Sequence, residues 1–323
     1  MTGGVTVSPS VLNAGDRERL HAICGDAVRF DEPLAAYTSW KIGGPADAWI
    51  VAANESQLAD VLRFCAERKV PWFVLGSGSN LLVGDGGIRG VVLRLGGEFA
   101  GIAVEREPES VIVRAGASAN MAQLTARAAS AGARGIASLS GIPGSVGGSL
   151  RMNAGTDREI GDFVREVWVQ SPRKPDPHAV SVQYYYRHTS LARDAIVTRV
   201  TLEFERGEPQ DVRDEMQHRL VRRKNTQPIA TPNAGSCFRN PPGDWAARLI
   251  EAAGAKGWRE GGAEVSPLHA NFINNVGGAS AKDVATLLAR VRRAVADRFG
   301  VELQLEVHLV GVFIDRDVRD DQA

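Results

Sequence analysis

Cysteine is scarce in this 323-residue chain. Cys24, Cys65 and Cys237 are odd in number and show no metal-ligand spacing. They fit neither a disulfide framework nor a zinc site, and they suit a reducing compartment. Excess charge of either sign is also missing. Lys and Arg total 38 and Asp and Glu total 38, so no net field advertises a nucleic-acid partner or an anionic membrane. No apolar run approaches the roughly 20 residues that cross a bilayer. The opening "MTGGVTVSPSVLNAGDRERL" lacks the basic-then-apolar order of a signal peptide. These absences predict a soluble, cytoplasmic, globular protein without a metal, with residues 1–30 as a loose leader.

Glycine, by contrast, is abundant at 35 residues, above the usual share of about 7 per cent, and it clusters. "DAWIVAA" (47–53) reads as a strand, Asn54 as a helix cap, and Leu58, Val61, Leu62 and Cys65 as one buried helical stripe. "PWFVLG" then makes a second strand, so 47–76 form a β-α-β unit that runs straight into "GSGSN". Further strands are expected at 90–95 and 110–117, with a helix over 120–131. "GIPGSVGG" (141–148) holds four glycines in eight residues, which predicts neither helix nor regular strand. Strands resume at "EVWVQS", "VSVQYYYR" and "IVTRVTLEFE", the last with Thr198, Val200, Leu202 and Phe204 on one face.

A new unit is expected from residue 208. Its helices are "QDVRDEMQHRLVRRKNTQP", residues 244–253, and a helix from the Ser280 cap to Gly300 with Val284, Leu287, Leu288 and Val291 as its stripe. "VELQLEVHLVG" (301–311) alternates strictly, which predicts a strand with Val301, Leu303, Leu305, Val307 and Leu309 inward and Glu302, Gln304, Glu306 and His308 outward.

Neither glycine loop is a standard nucleotide fingerprint: the first lacks the third glycine of G-x-G-x-x-G, and neither ends in Gly-Lys-Ser/Thr. The physical property remains, because glycines let backbone N–H groups converge on a phosphate. Two such loops, each following strands, could cradle a pyrophosphate, or they could be tight turns. "NAGSCFRNP" (233–241) sets Ser236 beside Cys237, and spacing alone leaves open whether either does chemistry.

Taken in order, "YTSWKIGGPAD" (37–47), "VLGSGSNLL" (74–82), "GIPGSVGGSLRMNAG" (141–155), "YYYR" (184–187), "NAGSCFRNP" and "LEV" (305–307) resemble one family. It is that of UDP-N-acetylenolpyruvoylglucosamine reductase, flavoenzymes of early peptidoglycan synthesis. The compact stretch between Arg187 and Ser236 resembles the shorter of the family's two types. The resemblance implies an α+β chain: a two-part FAD-binding region of the vanillyl-alcohol-oxidase type (31–95 and 96–207) and a smaller α+β substrate domain (208–323). It implies non-covalent FAD held by Trp40, Lys41, Ile42, Gly43 and Gly44, by Gly76, Ser77, Gly78, Ser79, Asn80 and Leu81, by Gly141, Pro143, Gly144, Gly147 and Gly148, and by Asn153 and Gly155. NADPH is then a co-substrate that reduces the flavin. In the reaction that the resemblance implies, flavin N5 passes hydride to C3 of the enolpyruvyl UDP-sugar, and Ser236 is the expected donor of the proton to C2. The resemblance likewise implies that Arg187 and Glu306 stabilise the intermediate.

This assignment makes chemical sense. Reducing a C=C bond beside a carboxylate builds negative charge onto that carboxylate, where an arginine fork fits. No nucleophile is required, so Cys237 reads as a small packing residue. Tyr186, Lys224, Asn240 and Asn271 are substrate candidates, and His269 is a structural histidine. Three departures from the family pattern stand out: Thr189 for a usual serine, "LQLEV" without the usual proline, and "NAGTDREIGDF" after the second loop. The competing readings are a flavin oxidase of the same fold superfamily and a nucleotide-binding module without chemistry. Against the first, neither glycine loop holds a His or Cys that could tether flavin. Against the second, Arg187, Ser236 and Glu306 are all present.

Overall fold

The computed structural model describes residues 10–313. The first region is built on a sheet of β1 (Val28–Pro33), β2 (Pro45–Ala52), β5 (Ile88–Leu95) and β3 (Trp72–Val74), in that order. β1 runs antiparallel to β2, whereas β2 and β3 both lie parallel to β5. The expected β-α-β unit is therefore present, with β5 filling the space between its strands. Its helix α2 (Glu55–Arg68) is capped by the Asn54 side chain and buries Leu58, Val61, Leu62 and Cys65 as its periodicity requires.

Ahead of it, α1 (Ala14–Cys24) corrects the expectation of a loose leader. Asn13 and Asp16 form a reciprocal capping box, and Leu12, Leu20 and Cys24 are buried in the same core as α2. Its apolar residues are too sparse to give a clear periodic stripe. The leader's first nine residues lie outside the described part.

The second sheet is entirely antiparallel: β6 (Ile102–Arg106), β7 (Ser110–Gly116), β12 (Ile196–Glu205), β8 (Val164–Ser171) and β9 (Lys174–Val180). Helix α3 (Met121–Ser130) covers it, and α4 (Val146–Arg151) begins inside the second glycine loop. A short helix there was not expected from four glycines. Ser145 makes it possible by accepting the N–H of Gly148, and Val146 and Leu150 bury into the core. The run "VSVQYYYR" also differs from a single strand. It breaks into a two-residue hairpin, β10 (Tyr184–Tyr185) against β11 (His188–Thr189), with Tyr186 and Arg187 at its tip.

Helix α5 (Pro209–Thr226) was grouped by sequence with the C-terminal segment. It buries Val212 in the first core and packs on α3. After it, α6 (Ala246–Ala252), a small meander of β13 (Arg259–Glu260), β14 (Ala263–Val265) and β15 (Ile273–Asn275), and α7 (Ala281–Phe299) enclose a separate core. Ser280 and Asp283 cap α7 reciprocally, and Gly300 at φ 67° ends it.

Two features stitch this core to the rest. Trp40 and Ile42 belong to it, with the Trp40 indole N–H donating to Ile273 O at 2.7 Å. Both oxygens of Asp85 accept backbone N–H groups at the start of α7.

The chain then returns through β16 (His308–Val310), which pairs parallel with β4 (Leu81–Val83), directly after the first glycine loop. The expected strand over 301–311 is regular only in these three residues. Upstream, 304–306 pair instead with 237–239, and the change of partner breaks the strand. Leu303 and Val307 are buried as expected, but Val301, Leu305 and Leu309 are only half-buried. No described helix is long and apolar enough to cross a membrane.

Candidate active site

The two glycine loops interlock. The Ser79 hydroxyl donates to Pro143 O at 3.1 Å. Gly78 takes φ 60°, and a Cβ there would lie 2.2 Å from Tyr37 O. Gly144 takes φ 130°, and a Cβ there would meet Ser79 Oγ at 3.0 Å. Side chains at either position would push the three segments 37–44, 76–81 and 141–148 apart. The backbone N–H groups of Ser77, Gly78, Ser79 and Gly144 find no protein acceptor among the described residues. Convergent, unspent donors of this kind are what an anionic diphosphate requires, so the residues present fit the diphosphate of FAD.

Not every sequence-assigned cofactor residue can offer its side chain. Trp40 is fully buried in the C-terminal core, and Ile42 is buried beside it. Lys41 is exposed, with φ 60°. Asn153, at φ 43°, spends its amide inside the protein. Its Nδ2 donates to Glu159 and to Tyr185 O, and its Oδ1 accepts from Gly161 N. It braces the hairpin tip against the loop after Gly155.

That tip carries Arg187, at φ 57°. Its Nε donates to Glu306 Oε1 at 2.9 Å, and its Nη2 donates to Gly155 O at 3.1 Å. Nη1 stands 3.4 Å from Glu159 Oε1, and the guanidinium carbon lies 4.8 Å from the centre of the Tyr186 ring. Arg187 and Glu306 each retain only 18% of their side-chain exposure. Glu306 is thus not the solvated carboxylate that alternation implied. Burial raises its pKa, and the positive charges of Arg187 and Arg239 offset this only in part. Burial likewise raises Glu159, against the pull of Arg187. Glu159 escaped the sequence reading. It lies in the divergent "NAGTDREIGDF", and only the fold brings it to Arg187.

Ser236 lies on the segment beside Glu306. Cys237 O accepts Glu306 N at 2.8 Å, and Arg239 N donates to Gln304 O at 2.9 Å. Ser236 is half-buried, and its hydroxyl has no hydrogen-bond partner among the described residues. Cys237 is 1% exposed with its thiol pushed up to about 12 by burial, a packing residue in fact. Asn80 joins the cofactor loop to this segment, its Nδ2 donating to Glu306 O at 2.9 Å.

The substrate candidates divide. Tyr186 is exposed at the tip beside Arg187. Asn240 is exposed, and its Oδ1 accepts Ala246 N at the start of α6. Asn271 is buried with both ends of its amide bound to the Phe238 backbone, at 2.9 and 2.8 Å. From this buried position it shapes the Ser236 loop. Lys224 faces outward on α5. The residues that α5 turns toward Gly141 are Leu220 and Arg223, four and one positions before Lys224. Arg223 has no carboxylate partner among the described residues, and burial lowers its pKa. His269 accepts Asn271 N through Nδ1 and stacks edge-on against Phe272, a structural role as expected.

Comparison with known proteins agrees with this geometry. Residues 46–170 match the FAD binding domain, and residues 227–310 match the UDP-N-acetylenolpyruvoylglucosamine reductase C-terminal domain. The chain is 44% identical over 301 residues to UDP-N-acetylenolpyruvoylglucosamine reductase 2 of Symbiobacterium thermophilum, covering 91% of this chain and 96% of that one. It is 44% identical over 285 residues to the corresponding reductase of Heliobacterium modesticaldum, covering 87% and 90%. The crystal structure of the Thermus caldophilus enzyme superposes with a TM-score of 0.74 at 34% identity, over 87% of this chain and 97% of that one. The FAD-binding α+β architecture with a smaller C-terminal domain is thereby established, and the chain belongs to the UDP-N-acetylenolpyruvoylglucosamine reductase family.

Proposed function

We propose that this protein reduces UDP-N-acetylglucosamine enolpyruvate to UDP-N-acetylmuramate at the expense of NADPH, through non-covalent FAD. The observation that carries this reading is the Arg187–Glu306 pair, tied by Asn80 to the end of the glycine cradle. Bound FAD supplies the two-electron relay between NADPH and the substrate double bond.

The cradle of Ser77, Gly78, Ser79 and Gly144 would bind the cofactor diphosphate through backbone N–H groups, with Arg223 as the cation nearest Gly141. Arg187 would receive the enolpyruvyl carboxylate, its planar fork taking up the charge that develops there. Glu306 orients that fork and keeps its charge local. Ser236 would deliver its proton to C2 of the substrate. Its unspent hydroxyl is free to do so, and the adjacent buried thiol is not. Tyr186 and Asn240, both exposed around the tip and the Ser236 loop, are the remaining substrate contacts in this reading. The soluble nucleotide substrates imply a cytoplasmic setting.

The test is a spectrum followed by a turnover. The purified protein should absorb near 370 and 450 nm, bleach with NADPH, and regain colour when the enolpyruvyl UDP-sugar is added. Flavin that bleaches but is not reoxidised by this substrate would defeat the proposal. Colour that stays with acid-precipitated protein would point to a tethered-flavin oxidase.

A further inference from the structure

Arg187 is surrounded by more negative charge than it can neutralise. Glu306 holds Nε at 2.9 Å, and Glu159 stands 3.4 Å from Nη1, so one cation faces two half-buried carboxylates before any ligand arrives. The substrate of the reaction proposed above brings a third carboxylate to the same guanidinium. Three anions cannot share one fork in a partly dry site without a large repulsive cost, so one must leave or take a proton. The geometry says which. Glu306 is fixed from both sides, by Arg187 at its side chain and by Asn80 and Cys237 at its backbone. Glu159 has the longer contact and the greater exposure, 26% against 18%.

We propose that Glu159 is a positioning residue that holds the Arg187 guanidinium in its binding pose and surrenders Nη1 to the carboxylate of the incoming substrate, taking up a proton as it does so. The groups around Glu159 favour this exchange. Asp162, which accepts Glu159 N from the following turn, adds negative charge, and Arg158 is engaged with Asp162 and the face of Phe163. Asn153 donates to the second oxygen of Glu159 and can equally face a protonated carboxyl or its amide isostere. Around Glu306 the charged neighbours are Arg187 and Arg239, both cations, whereas Glu159 shares Arg187 with the nearby negative charge of Asp162. Burial raises Glu159 despite Arg187, which brings proton uptake closer to neutral pH.

The inference rests on the proposed reaction, and two measurements on the FAD-loaded enzyme separate their fates. In wild type, KM for the enolpyruvyl UDP-sugar should rise with pH, and calorimetry in buffers of different ionisation enthalpy should detect proton uptake when the product UDP-N-acetylmuramate binds. Glu159→Gln should lower KM at high pH by about tenfold, the affinity equivalent of moving a coupled pKa by one, and should flatten the profile and abolish the proton uptake. Glu159→Ala should instead lower the rate of flavin reoxidation, since nothing then steadies Nη1, while bleaching by NADPH stays at the wild-type rate. Wild-type KM, pH slope and proton uptake in Glu159→Gln would overturn the role of Glu159 and leave the reaction standing. A wild-type enzyme that neither binds nor turns over these UDP-sugars would overturn the reaction and this exchange together.

Discussion

Asn80 is tied twice to the segment that carries Glu306, once to Glu306 itself and once to His308. The Asn80 side chain donates to Glu306 O at 2.9 Å, and Asn80 O accepts His308 N at 3.0 Å. The loop that would bind cofactor and the carboxylate that orients Arg187 therefore move as one piece. Asn80→Ala should cost about 0.5–1.5 kcal/mol of stability, the net worth of one such hydrogen bond. It should slow reoxidation of flavin by substrate more than reduction by NADPH. Stopped-flow traces of the two half-reactions would check this, and equal slowing of both would contradict it.

Arg187→Lys keeps the charge and loses the fork. An ammonium cannot reach Glu306 Oε1, Gly155 O and a substrate carboxylate from one position. Flavin reoxidation should fall by about 10²–10³-fold, as when a donor to a developing anion is removed. Near-normal steady-state turnover in this variant would take Arg187 out of the mechanism.

Ser236 and Cys237 should separate cleanly. Ser236→Ala should bleach normally with NADPH and then fail to reoxidise, losing about 10²–10⁴-fold. Cys237→Ala should keep both halves within a few-fold and lose about 1 kcal/mol of stability. With its thiol pushed up to about 12, Cys237 should also resist iodoacetamide in the folded enzyme at pH 8. Rapid labelling there, or a silent Ser236→Ala, would reverse the assignment.

Glu306 makes a prediction about pH and stability. Burial raises its folded pKa above the unfolded value of about 4.3. Between those two values the folded state binds more protons than the unfolded one, so this group's contribution to stability falls as pH rises. Glu306→Gln removes that dependence. Its Tm should drop less than that of wild type between pH 4.5 and pH 7, and parallel Tm curves for the two proteins would refute the argument.

Local signals carried the elements with strong periodicity or a good cap. Helices α2 and α7 sit where Asn54 and Ser280 open them and where their stripes run. Reading failed where tertiary contacts override a local pattern. Three consecutive tyrosines look like a strand, but Tyr186 and Arg187 turn a hairpin because Asn153 and Glu306 hold the tip. Alternation from 301 to 309 looks like one long strand, yet the segment changes partners at Glu306. Asn271 is a substrate candidate by sequence, and only the fold shows that its amide is buried and bridges the backbone N–H and C=O of Phe238. Glu159 was invisible for the opposite reason, since nothing along the chain links it to a residue 28 positions away.

The Trp40 indole sits inside the C-terminal core while its own chain segment belongs to the cofactor side. That core is therefore not a portable cassette. A fragment beginning after α5 would carry α6, α7 and the small meander but leave a hole the size of an indole, with Ile273 O unanswered at its wall. A chimera that exchanged this part between relatives would have to exchange the residue at position 40 with it, because the two have been shaped as lock and key within one chain.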